Sequence, residues 1–217
     1  MSSTFHIRPA SLAAKDDERM LSHFDSQLKW LESIGSGGQW GPNPRSNNEA
    51  FQEKIRGKIQ LSETCMEKPF SSKWARAYIS EAEVDADSLS EELKQLSGPP
   101  LENGRVRVPV ASMILDSKSA DYVRDVLPEE DKNDPFIYLL ALFSDRKTSS
   151  IGKGAGAALI KHAKDEAKRL GIHRIDGDCY AGNDGKLLKY YESQGFKSAG
   201  EFGSEQGWPG VVFEMRF

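Results

Sequence analysis

Apolar residues fall every three or four positions in some stretches of this chain and every second position in others, which divides it into helices and strands. FHIRP (Phe5 to Pro9) alternates apolar and polar residues and stops at proline, so it predicts a short strand. Leu21, Phe24, Leu28 and Leu31 recur at helical spacing and run into the glycine-rich SIGSGGQWGPNP, where an amphipathic helix must end. Ser46 and Glu49 have capping-box spacing ahead of Phe51, Ile55 and Ile59, which predicts a second helix. KWARAYISEAEV (Lys73 to Val84) and RVRVPVASMILD (Arg105 to Asp116) read as strands. The stretch between them, about 85–104, is longer than a hairpin needs and reads as an insertion. Within it Ser88 and Glu91 are spaced to cap a short helix that Pro99 and Pro100 end.

SKSADYVRDVLPEEDKNDP (Ser117 to Pro135) is a polar connection with room for one helical turn. FIYLLALF (Phe136 to Phe143) is a continuous apolar run, the mark of a central strand covered on both faces. Ala155, Leu159, Ala163, Ala167 and Leu170 then form a stripe along a helix closed by Gly171, with lysines and His162 on the solvent side. HRIDGDCYA (His173 to Ala181) is a strand. NDGKLLKYYESQGF gives a short helix capped by Asn183 or Asp184 and ended by Gly195. Two last strands, around Phe196 to Phe202 and Val211 to Phe217, flank a GSEQGWPG turn, and no internal repeat is visible.

Composition narrows the function. The 217 residues carry a net charge of -4 and a hydrophobic fraction of 38%, which fits one globular domain over 1–217. Without a dominant basic run, nucleic acid is not an expected partner. The N-terminal MSSTFHIRPASLAAKDDER lacks the basic-then-apolar layout of a signal peptide, and no apolar run approaches a membrane span, so a soluble, cytoplasmic chain with no membrane partner is expected. Cys65 and Cys179 have no metal-ligand spacing; they read as reduced thiols, with a single disulfide as the alternative. His6, His23 and His173 show no ligand spacing either, so no metal is expected.

The chemistry concentrates in SSIGKGAGAALIKHAKDEAKRLGI (Ser149 to Ile172). Gly152, Gly154 and Gly156 stand where a helix must nucleate, and each glycine costs roughly 1 kcal/mol there relative to alanine. A Walker loop is excluded, because no lysine in frame is followed by serine or threonine. Gly152, Gly154 and Ala157 satisfy the dinucleotide spacing G-x-G-x-x-A, and Asp176 follows at the right distance. Only about 60 residues remain after the glycines, too few for the cofactor's second half, so the match is accidental and Asp176 a decoy. What remains is bare backbone N–H groups and a helix dipole converging on an anion such as a pyrophosphate, against a turn that merely closes the junction.

The run LLAL (Leu139 to Leu142), the loop–helix IGKGAGAALIKHA and the motif YYESQGF (Tyr190 to Phe196) together resemble the GNAT superfamily of acyl-CoA-dependent N-acyltransferases. The likeness covers Phe136 to about Phe202 well; FHIRP and the first two helices match in order only, and WLESIGSGGQWG resembles small bacterial-type members. The resemblance implies an α+β, three-layer α/β/α fold, with a mixed and largely antiparallel twisted sheet in which the central strand and its parallel neighbour splay apart. It implies acetyl-CoA as cosubstrate, its pantetheine arm paired with Leu140, Ala141 and Leu142. It places the pyrophosphate on Ile151, Gly152, Lys153, Gly154, Ala155 and Gly156. Within the family's [Q/R]-x-x-G-x-[G/A], Ile151 departs from the usual Gln or Arg, and Arg146, Lys147, Ser149 or Ser150 are candidates to replace that contact.

The implied reaction is acetyl transfer to a primary amine in one ternary complex. The amine must arrive neutral, the developing oxyanion needs a donor (a main-chain N–H near Leu142), and the departing thiolate benefits from a proton. Tyr191 matches the tyrosine that family members place near the sulfur, with Tyr190 as its packing neighbour, and Asn183 is placed to bond the pantetheine arm. A phenol with pKa near 10 matches a thiolate in basicity. Glu81, Glu83 and Asp145 read as solvated carboxylates, so no general base is assigned, and Cys179 reads as inert packing. Gln39, Trp40, Tyr78 and Trp208 are candidate acceptor-pocket residues. A small-molecule amine is the expected acceptor, because the long insertion and aromatic loops would tend to close a groove. A protein or peptide acetyltransferase and a non-catalytic acyl-CoA-binding module are the alternatives, and family analogy suggests a homodimer.

Overall fold

The computed structural model describes residues 4–127, 133–148, 150–204 and 207–217. The middle of the Ser117–Pro135 connection and the tip of the GSEQGWPG turn lie outside them. In chain order the elements are β1 (Thr4–Pro9), α1 (Asp16–Ser33), α2 (Glu49–Cys65), β2 (Ala75–Asp85), α3 (Glu91–Leu96) and β3 (Arg105–Asp116), then β4 (Ile137–Ser144), α4 (Ala155–Arg169), β5 (Arg174–Tyr180), α5 (Lys186–Ser193), β6 (Lys197–Gly203) and β7 (Pro209–Arg216). The strands form one sheet in the order β1-β2-β3-β4-β5-β7-β6. Every neighbouring pair is antiparallel except β4 and β5, which run parallel. This is the mixed, mostly antiparallel α+β architecture that the resemblance implies.

Alternation along the strands sends side chains to two cores. On one face Ala155, Leu159, Ala163 and Ala167 of α4, with Tyr191 of α5, pack against Met113, Leu115, Ile137, Leu139, Ile175 and Cys179. On the other, Met20, Phe24 and Leu28 of α1 and Ile55 and Ile59 of α2 cover Ala77, Ile79, Ile114 and Phe143. A smaller core lies where the β3–β4 connection folds back: Val123 and Leu127 cover Phe136, Tyr138 and Val212. At about 1.5–3 kcal/mol per fully buried large apolar side chain, these layers fix β4 in the middle of the molecule.

Three capping expectations are corrected. Asn48, not Ser46, starts α2, its carboxamide oxygen accepting from the Phe51 N–H at 2.9 Å. The backbone around Ser46 is in a short 3₁₀ turn, and Asp25 accepts the Arg45 and Ser46 N–H groups at 2.6 and 3.2 Å. Ser90, not Ser88, caps α3, accepting from the Leu93 N–H at 3.3 Å, while the Ser88 hydroxyl donates to the Asp85 carbonyl at 2.7 Å. Neither Asn183 nor Asp184 caps α5: both sit at φ 55° in a 3₁₀ turn, and a left-handed Gly185 opens the helix. The insertion folds onto the start of β3, with Leu93 and Leu96 against the first core and the Gly98 N–H on the Arg107 carbonyl at 2.8 Å.

Candidate active site

The parallel pair is short. Its register runs only through Ile137–Ile175, Tyr138–Asp176 and Leu139–Gly177, although β4 continues to Ser144 and β5 to Tyr180. On its other flank β4 stays paired with β3 up to Ser144, but the register slips between Ile114 and Leu115, so Leu140 opposes no residue of β3. This is a bulge, and it turns the consecutive Leu140 and Ala141 toward the same α1–α2 core. Leu140, Ala141 and Leu142 are half-buried in a strand otherwise largely sealed. A bulged strand whose amides on one edge lack a partner is a template for an extended, amide-bearing ligand.

Beyond the parting, the glycine loop leads into α4. Gly154 has φ 97° and opens the helix without a side-chain cap. The Ala155 N–H donates to the Gly152 carbonyl at 3.1 Å and the Ala158 N–H to Gly154 at 3.0 Å; those of Gly156 and Ala157 meet no acceptor among the described residues. These orphan donors at the positive end of a fifteen-residue helix suit an anion. Gly152 is also required by packing, since a Cβ there would lie 2.7 Å from the Thr148 hydroxyl. Lys153 and Gly154 are exposed, Ala155 is buried and Ile151 is half-buried against the first core, so its side chain is spent on packing. Of the residues considered as replacements, Arg146 and Lys147 turn to α1. The Arg146 guanidinium lies 3.3 Å from the Trp30 ring centre and the Lys147 ammonium 3.5 Å from the Ser22 hydroxyl. Ser149 lies outside the described residues.

Tyr191 is 7% exposed and stacks on Phe213 at 4.1 Å, with Phe196 edge-on at 5.7 Å. Phe213 in turn lies over Gly177, the last residue of β5 that pairs with β4, so the ring of Tyr191 stacks at the level where β4 and β5 part. Burial, reinforced by Cys179, pushes the Tyr191 hydroxyl well above its ordinary value, which corrects the expectation of a phenol near 10. The same burial pushes the Cys179 thiol up to about 12, in keeping with an inert packing role. The Asn183 carboxamide donates to the Ser36 hydroxyl at 2.9 Å, tying the α1–α2 loop over the end of β5.

Sequence patterning weighed Asp176 and Cys179 on β5 and passed over Asp178. Alternation puts Asp178 on the face opposite Gly177 and Cys179, one residue past the last parallel pair. Its carboxylate accepts hydrogen bonds from the hydroxyls of Tyr138 on β4 and of Tyr122, the latter at 3.3 Å. Burial raises its pKa, opposed by these two bonds and by the more distant Lys54. A carboxylate in mid-strand beside aromatics was the available signal. Asp176, by contrast, is fully buried beside Arg174 at 3.0 Å, in an ion-pair group with Asp134, Glu214 and Arg216.

The candidate acceptor residues separate. Trp208 joins Phe202 and Tyr122 at 5.5 and 5.8 Å, beside Asp178. Gln39 and Trp40 lie half-buried in the α1–α2 loop, Trp40 edge-on to Phe24 at 4.9 Å. Tyr78 is on the opposite face under α4, where it meets His162 at 4.4 Å, so the structure does not bring it to the others. His162 is thereby half-buried with an unpartnered Nε2, not out in solvent as its helical position suggested. Glu81 and Glu83 are occupied by arginines, and Asp145 accepts from the Lys147 N–H at 3.0 Å. Among the described residues no group of three or more His, Cys, Asp or Glu could hold a metal ion, and no helix is long and apolar enough to cross a membrane.

No protein-family model matches this sequence, and no curated protein matches it. Solved structures do. A GNAT-family acetyltransferase from Listeria monocytogenes superposes with a TM-score of 0.59 over 98% of this chain and 95% of its own, at 19% identity. yncA from Salmonella typhimurium, solved with its cofactor acetyl-CoA, gives 0.55 over 99% and 94% at 13% identity. An N-acetyltransferase from Staphylococcus aureus gives 0.55 over 99% of each chain at 14% identity. At these identities the likeness speaks for architecture, and with the parted β4–β5 pair and the glycine loop already in view, it means that this chain has the fold of the GNAT-family acetyltransferases.

Proposed function

We propose that the chain is a member of the GNAT superfamily that transfers the acetyl group of acetyl-CoA to the primary amine of a small molecule. The observation that carries this reading is the parting of β4 from β5 after three residue pairs, with the bulge at Leu140 and the glycine loop beyond it. The edge of β4 that β5 leaves open along Leu140, Ala141 and Leu142 receives the pantetheine arm, and the N–H groups of Gly156 and Ala157 receive the diphosphate. The residues fit such a ligand, except that Ile151 adds no polar contact.

The acceptor amine arrives from the α1–α2 side. Asp178, with its raised pKa, takes the ammonium proton and leaves a neutral nucleophile. The nitrogen attacks the thioester carbonyl, whose oxygen accepts from a main-chain N–H near Leu142. As the carbon–sulfur bond breaks, Tyr191 would give its proton to the departing thiolate, and the proton that the attacking nitrogen loses on forming the amide returns, through solvent, to the phenolate. The raised pKa of Tyr191 in the unliganded chain makes it a weak acid that donates only to a strongly basic thiolate.

The β3–β4 connection favours a small acceptor. Tyr122 lies over Phe202 at 5.6 Å and Val123 and Leu127 sit on Val212, so the face of β5, β7 and β6 that a long peptide would lie along is covered. The cover includes Trp208 of one aromatic loop, while the β2–β3 insertion packs against the first core instead.

A thiol-release assay with acetyl-CoA across a panel of polyamines, amino acids, aminoglycosides and short peptides tests this. Release with small amines and none with peptides is expected. Failure of acetyl-CoA to bind at millimolar concentration would overturn the reading.

A further inference from the structure

Tyr190 and Tyr191 are adjacent on α5, with ring centres 5.5 Å apart, yet they serve different spaces. Tyr191 turns into the core against Phe213, whereas Tyr190 reaches across the gap between α5 and the first turn of α4. A Cβ built on Gly156 would lie 2.8 Å from the Tyr190 hydroxyl and 3.9 Å from the Ser144 hydroxyl at the open end of β4. Neither hydroxyl is hydrogen-bonded among the described residues, and the Gly156 and Ala157 N–H groups beside them are unpartnered too. The hydroxyls of Tyr190 and Ser144 therefore meet beside Gly156, at the helix start whose Gly156 and Ala157 N–H groups have no acceptor among the described residues, at the end of β4 that no longer pairs with β5.

Packing alone does not explain this. A half-buried position on α5 could hold leucine, as Leu188 does, and Gly156 could then be alanine, which favours a helix. Instead the chain keeps a phenol and a glycine that makes room for its tip. Burial holds the phenol protonated, so it can only offer its hydrogen to an anion.

We propose that the Tyr190 hydroxyl binds the diphosphate of the acyl-CoA cosubstrate, supplying from α5 the side-chain contact that Ile151 cannot make on the glycine loop. This deepens the proposed function and rests on it. Tyr190 is here a binding residue of the cosubstrate, where sequence reading made it the packing partner of Tyr191.

The test compares the full chain with Tyr190→Phe, which keeps the ring and loses only the hydroxyl. Coenzyme A binding is measured by calorimetry, and that of pantetheine, which lacks the diphosphate, by ligand-observed NMR. Tyr190→Phe should bind coenzyme A about tenfold more weakly, the size of one hydrogen bond to a charged group, and pantetheine unchanged. Equal losses for both ligands, or no loss for coenzyme A, would overturn the proposal and leave Tyr190 as packing. Absence of coenzyme A binding by the unmodified chain is a different result: it removes the acyl-CoA reading itself, and this proposal with it.

Discussion

Tyr138 on β4 donates its hydroxyl hydrogen to the Asp178 carboxylate on β5, across two strands that stop pairing at Gly177. A polar group buried in mid-sheet needs partners, and here the partner comes from the very strand that has moved away. The pair therefore marks the end of the seam.

Replacing that carboxylate should separate chemistry from binding. Asp178→Asn is expected to lower kcat roughly 100-fold or more while acetyl-CoA affinity changes little. Burial raises this carboxyl, so the acid limb of the pH–rate profile should be shifted upward from an ordinary aspartate's. Tyr138→Phe removes one bond to the ionised form and should move that limb to still higher pH. Steady-state kinetics between pH 5 and 9 would show it, and an unmoved limb would remove Asp178 as the base.

Tyr191→Phe keeps the ring that stacks on Phe213, so the melting temperature should change little. If the phenol protonates the departing thiolate, kcat should fall about tenfold or more with unchanged acetyl-CoA affinity. Full activity in the variant would make Tyr191 a packing residue.

Asp176 makes stability depend on pH. Burial pushes its carboxyl up to about 7, opposed by Arg174. Between the ordinary carboxylate value and about 7 the folded chain holds a proton that the unfolded chain has released, so this group's contribution to stability falls as pH rises through that window. Asp176→Asn removes the titration. The difference in urea-unfolding free energy, variant minus parent, should therefore increase from pH 5 to pH 8; a constant difference would mean that Asp176 is ionised throughout.

The two residues that meet at the head of α4 should be energetically coupled. Alanine at 156 is the better helix former but puts a methyl group against the Tyr190 hydroxyl. Gly156→Ala should therefore raise the melting temperature more in a Tyr190→Phe background than in the parent. A coupling of about 0.5–1 kcal/mol is expected from the double-mutant cycle, and additivity would show that the two do not touch.

Much of the fold was legible because β4 and α4 announce themselves. Eight continuous apolar residues permit little but a strand buried on both faces, and an alanine–leucine stripe over fifteen residues permits little but a helix. The glycine loop could be named from spacing, and Tyr191 only from the likeness of YYESQGF to a family motif. Asp178 could not, because its meaning depends on where β4 and β5 cease to pair, which no local pattern records. Tyr78 misled for the same reason: an aromatic on a strand looks alike on either face until the register is known. Ser46 and Ser88 failed as caps because several polar residues precede each helix, and competing bonds to Asp25 and Asp85 decided which one served.

The three-pair seam has a mechanical consequence. To one side lie β1, β2, β3 and β4, joined by long antiparallel ladders; to the other lie β5, β7 and β6, joined likewise. Among the described residues only the stretches Ile137–Leu139 and Ile175–Gly177 pair these two slabs edge to edge, a short weld between two plates. Such a weld is expected to open before the ladders on either side, and amide exchange at those six residues would gauge how firmly the halves are held together.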